Sequence, residues 1–208
     1  MGTKAWFIAY FDHDPRKALA GNPALDRTAA RNLAERLLPG QVLADTGDGV
    51  LAALYPTKRQ VFAGVYGGVR IVAHNDLAKD KPSEIDRRWF DPSLGEYAYV
   101  HATHSGVDWL AFGLWHEGRL VRSLSLNPDD GIFENIGEPL PFEAPYWDGK
   151  RPVEDYPLPF HPLDLSEAAM LHQLGFQFVG KDSEWVWDPY DVPIATFGLK
   201  RTSRFWPF

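Results

Sequence analysis

Two eight-residue runs, 109–116 and 119–126, flank the dipeptide Glu117-Gly118 and constrain this chain more than any other feature. Asp-Gly, Asn-Gly and their analogues close two-residue hairpins, because both central residues must take positive φ. With Glu117-Gly118 as that turn, Trp115 opposes Leu120, Gly113 opposes Arg122, Ala111 opposes Leu124 and Trp109 opposes Leu126. The other face pairs Leu114 with Val121, Phe112 with Ser123 and Leu110 with Ser125. Apolar residues dominate both faces. A hairpin of this kind needs cover on both sides and belongs inside a sheet, not at a solvated edge.

Further strands are expected at 6–11, 60–66, 69–73, 97–103 and 194–199, with Gly67-Gly68 turning the second of these into the third. Two helices are expected on the sheet. The first, near 23–38, has Asn22 as N-cap, Pro23 at its first position and Pro39-Gly40 as its stop. The second, near 165–174, opens on a capping box of Asp164 and Glu167 and closes at Gly175. Residues 128–162 read as irregular, rich in Pro, Gly and acids. No linker or internal repeat divides the 208 residues, so the expected architecture is α+β: one domain over 1–208, a mainly antiparallel sheet with helices packed on it.

Charge and cysteine usage narrow the function. Twenty-eight acids against 21 Lys and Arg leave a net charge of −7, the wrong sign for a phosphate-neutralising surface, so neither nucleic acid nor an anionic membrane is an expected partner. The sequence has no cysteine, which removes disulfides, thiolate nucleophiles and Cys-ligated metals and fits a reducing cytoplasm. No run approaches the roughly 18 apolar residues of a membrane helix. A protein or small-molecule partner is the remaining expectation.

Several long motifs stand out between 101 and 163: His101-Ala-Thr-His104-Ser-Gly-Val-Asp-Trp109, Gly118-Arg-Leu-Val-Arg-Ser-Leu-Ser-Leu126, Glu134-Asn-Ile-Gly-Glu-Pro-Leu-Pro-Phe-Glu-Ala-Pro-Tyr-Trp147 and Pro157-Leu-Pro-Phe-His-Pro-Leu163. In these the chain resembles a family of uncharacterised actinobacterial proteins, a domain of unknown function. The resemblance implies a soluble bacterial domain and carries over no catalytic residue.

Candidate chemistry lies in three places. The stretch 127–164 holds nine acids, Asp129, Glu134 and Glu138 among them, against Lys150 and Arg151; that excess of seven equals the net charge of the chain. It reads as a solvated loop, with Ca²⁺ or Mg²⁺ ligation or paired-carboxylate catalysis as alternatives. His101 and His104, three apart, point to opposite faces of a strand and share a ligand only if the strand ends near Thr103. Arg122 sits, in the expected register, on the face of Trp109 and Trp115. It reads as an ion pair with an acid of the loop, or as a ligand-anchoring arginine in an aromatic pocket.

The aromatic–acid clusters 146–148 and 185–191 suit core packing, sugar stacking or a protein interface. No nucleophile elbow, P-loop, HExxH or dinucleotide fingerprint occurs, and no motif assigns a cofactor. Two readings stay open. One is a binding or interaction module with an acidic, aromatic-rich loop. The other is a hydrolase-type enzyme using loop carboxylates with His101 or His104 and Arg122. They separate on whether Glu134, Asn135, Glu138, His101 and Arg122 converge.

Overall fold

The computed structural model describes residues 3–21, 23–179 and 185–201. In chain order the elements are β1 (Lys4–Phe11), α1 (Pro15–Leu19), α2 (Arg27–Leu37), β2 (Gln41–Val50), β3 (Gln60–Tyr66), β4 (Val69–Ala73), β5 (Tyr97–His104), β6 (Trp109–His116), β7 (Arg119–Asn127), β8 (Gly131–Ile136), α3 (Ala144–Trp147), α4 (Pro162–Leu174) and β9 (Pro193–Arg201). The nine strands form one antiparallel sheet, ordered β2-β9-β3-β4-β1-β5-β6-β7-β8. The α+β class expected from the sequence is the observed one.

Each face of the sheet has its own core. Phe7, Tyr99, Phe112, Leu124 and Leu126 pack under α4 and α1. On the reverse face Ile8, Val61, Val100 and Trp115 pack under α2 and the 3₁₀ turns Arg87–Phe90 and Pro92–Leu94, with Trp89 fully buried among them. Burying a side chain of this size contributes roughly 1.5–3 kcal/mol, so covering both faces is what makes so apolar a hairpin stable.

Both helices start elsewhere than expected. Asp26, not Asn22, caps α2 by accepting the Ala29 N–H at 2.9 Å, and Asn22 lies outside the described residues. Helix α4 begins a turn early at Pro162, with His161 Nδ1 accepting the Leu163 N–H at 3.2 Å. Proline at the first helical position has no N–H to waste, and an imidazole acceptor replaces the expected Asp164 cap. Gly175 ends α4 at φ 85°, as its position suggested.

The hairpin register departs at one residue. Turn geometry is as expected, with Glu117 and Gly118 at φ 49° and 73°, and Trp115 opposite Leu120. Beyond it Leu114 pairs with Arg122, leaving Val121 as the extra residue of a bulge. Every later side chain of β7 therefore changes face. Arg122 does not share the face of Trp109 and Trp115; it lies with Leu124 and Leu126 on the α4 side. The gap at Gly113 is filled by Trp115 itself, since a Cβ there would lie 2.6 Å from the indole, which stacks on Phe90 at 3.8 Å.

Candidate functional site

The loop does fold back on the sheet, over the α4 face. Pro141–Glu143 forms a 3₁₀ turn that places Glu143 against Arg122, both fully buried. Arg122 Nε donates to Glu143 Oε1 at 2.8 Å and Nη2 to Oε2 at 2.6 Å, a bidentate pair. Its Nη1 donates to Asn135 Oδ1 at 2.5 Å and to the Ile136 and Gly137 carbonyls at 3.0 and 3.1 Å. Glu143 also accepts the Leu140 N–H at 2.8 Å and the Trp147 Nε1–H at 3.1 Å. Both side chains are fully buried and bonded to each other, which fits the structural ion pair and not an anion holder open to a ligand.

The remaining sequence candidates disperse. Glu134 faces the opposite side of the sheet, accepting the Ser83 N–H at 3.0 Å and the Ser123 and Ser83 hydroxyls. Glu138 and Asp129 are exposed. Trp109 is buried with Ala102 and Ala111 on the face away from Arg122. His104 and His101 point to opposite faces, because β5 runs on through His104. Among the described residues no three of His, Asp and Glu gather to hold a metal ion.

His101 is sealed inside. Its Nδ1 lies 2.8 Å from the Tyr99 hydroxyl and its Nε2 3.1 Å from Ser166 Oγ, with Phe7 stacked at 5.6 Å. Burial alone pushes its pKa down to about 3, so it is neutral near pH 7 and a poor general base. In the aromatic clusters Tyr146 and Trp187 are packed: Tyr146 donates to the Asp164 carbonyl at 2.9 Å and Trp187 Nε1 to the Leu174 carbonyl at 2.7 Å, whereas Tyr190 stays exposed.

A cleft of about 360 Å³ opens where the end of β5 meets the start of α4. Thr103 and Ser105 line it from the sheet end, His161, Asp164 and Glu167 from the helix, with Thr3, Leu163 and Val179 between. His161 Nδ1 is occupied as the helix cap, so Nε2 carries the proton and faces Asp108 Oδ2 at 3.5 Å. Tyr156 stacks on this imidazole at 5.0 Å and donates to Asp108 Oδ2 at 3.2 Å. Burial, then the Asp108 charge, pushes the Tyr156 phenol up to about 12. Burial raises the Glu167 carboxyl to about 7, even though it accepts the Phe178 N–H at 2.7 Å. Neither Asp164 nor Glu167 has a basic partner among the described residues.

The sequence reads Asp164 and Glu167 as a capping box and marks neither Asp108 nor Tyr156. The one local signal was His161-Pro162, a capping acceptor ahead of an N1 proline, which would have started the helix early and freed both acids. The sequence matches a family of unknown function, DUF6928, over residues 5–197. The chain belongs to that family. Membership in DUF6928 brings no activity and no source with it. No curated protein and no solved structure matches the chain. No helix among the described residues is long and apolar enough to cross a membrane.

Proposed function

We propose that this protein is a binding domain whose ligand is a small polar molecule carrying a protonated amine, held in the cleft at the start of α4. One observation carries the reading: the far end of the acidic, aromatic-rich stretch, through His161 and Asp164, converges there with Glu167, and among the described residues the two carboxylates have no cation. The volume falls within the range of small-ligand sites, and the hydroxyls of Thr3, Thr103 and Ser105 suit a hydroxylated amine. Nothing favours the hydrolase alternative, whose residues are bonded to one another or scattered. The proposal extends to a single domain in a reducing, cytoplasmic setting, supported by a sequence without cysteine, and to no role on nucleic acid, supported by the net charge of −7.

Titrating the ¹⁵N-labelled full chain with ethanolamine, glucosamine and butane-1,4-diamine tests it. At least one should bind saturably, shifting the amides of Thr103, Ser105 and Leu163, with affinity rising as pH increases through about 7 and Glu167 ionises. Glu167→Gln should weaken binding roughly tenfold, about 1.4 kcal/mol, and flatten that pH dependence. Absence of saturable binding by all three amines would end the reading.

A further inference from the structure

A second cleft lies on the opposite face of the sheet, between the end of α2 and the loop entering β3, with a volume of about 530 Å³. Lys58 and Arg59 stand exposed on one rim, with no acidic partner among the described residues. Arg88 stands on the other, anchored by Asp76 at 2.6 Å and lying over the Trp89 ring at 5.7 Å. Three fixed cations against one carboxylate leave a local charge of about +2 in a chain of net −7. The carbonyl end of α2 offsets only roughly half a charge.

Between the rims lies His74, only 7% exposed, its ring stacked on Trp89 at 5.8 Å. Nδ1 accepts the Asp76 N–H at 3.2 Å, so the ring proton sits on Nε2, which has no partner among the described residues. Burial holds the imidazole pKa below its usual range, leaving a neutral ring that offers a single N–H. An oriented, nearly buried donor beside unpaired cations is the arrangement that receives oxyanions.

We propose that this cleft binds a small polyanion through its phosphate or carboxylate oxygens, Lys58, Arg59 and Arg88 supplying charge and His74 Nε2–H fixing orientation. It is independent of the amine site, which uses other residues on the other face. Isothermal titration of the full chain with pyrophosphate, inorganic phosphate and citrate provides the test. Pyrophosphate, citrate or both should bind more tightly than inorganic phosphate; binding of one alone identifies the oxyanion chemistry recognised. Lys58→Gln with Arg59→Gln should weaken binding at least about tenfold. His74→Asn retains a side-chain acceptor for the cap, but its shorter amide cannot reach the Nε2 position, so the folded variant should bind several-fold more weakly. Arg119→Gln, a charge loss at the distant β6–β7 turn, should change nothing. No saturable heat up to about 10 mM with any probe, or equal affinity in the double variant and the Arg119→Gln control, overturns the proposal.

Discussion

Replacing Arg122 with methionine keeps most of the aliphatic stem and removes the guanidinium, so the change in apolar burial is small. What is lost is the bidentate contact to Glu143 and the Nη1 bonds to Asn135, Ile136 and Gly137. Glu143 keeps its bonds from Leu140 and Trp147 but becomes a fully buried carboxylate without a cation. Breaking such a pair from one side costs about 3–5 kcal/mol. For a chain of this size that is a fall of roughly 6–20 °C in Tm. Urea unfolding at neutral pH reads the cost as a lower midpoint at unchanged slope. Adding Glu143→Leu removes the stranded charge and should restore most of the loss, because replacing both ions by apolar groups is often near neutral. The exposed Arg119→Ala should cost within about 0.5 kcal/mol. Equal small losses at positions 119 and 122, or no recovery in the double variant, would refute the pairing argument.

His101 has a folded pKa of about 3 against roughly 6.5 unfolded, so its contribution to stability is present above pH 6.5 and is lost as pH falls toward 3. The unfolding free energy of the wild type should therefore fall relative to that of His101→Phe on acidification, by up to about 1.4 kcal/mol per pH unit, read from urea unfolding. Glu167 has the opposite sign: its raised pKa favours stability below about pH 4.5, lost as pH rises through about 7, and Glu167→Gln should flatten the stability profile over that window. Gly137→Ala places a Cβ 2.0 Å from the Val121 carbonyl at φ 79° and should destabilise by more than about 2 kcal/mol on thermal unfolding. Calorimetry should give one cooperative transition, and two separated ones would contradict a single domain.

Strands β3, β4, β6 and β7 were legible because turn glycines and apolar runs coincide there. The two missed strands, β2 and β8, are the edges of the sheet. An edge strand buries less and tolerates Asp, Gly and Asn, so neither Gln41–Val50 nor Gly131–Ile136 carries a strong period-two signal. The bulge at Val121 was invisible for another reason: it is decided by Trp115 filling the Gly113 gap and by Glu143 meeting Arg122, both tertiary events. An acid of the 127–164 stretch was nevertheless the correct partner for Arg122, since a buried guanidinium needs a carboxylate wherever the register puts it. The clefts were missed because they unite residues far apart in sequence, Thr103 with Glu167 and Lys58 with His74 and Arg88.

The amine site is tested most directly by the pH dependence of ligand binding in wild type and Glu167→Gln, measured by calorimetry with the tightest amine of the panel. The account predicts wild-type affinity that climbs through about pH 7, and a variant that binds roughly tenfold more weakly with little pH dependence. Equal affinities and equal pH profiles would contradict it.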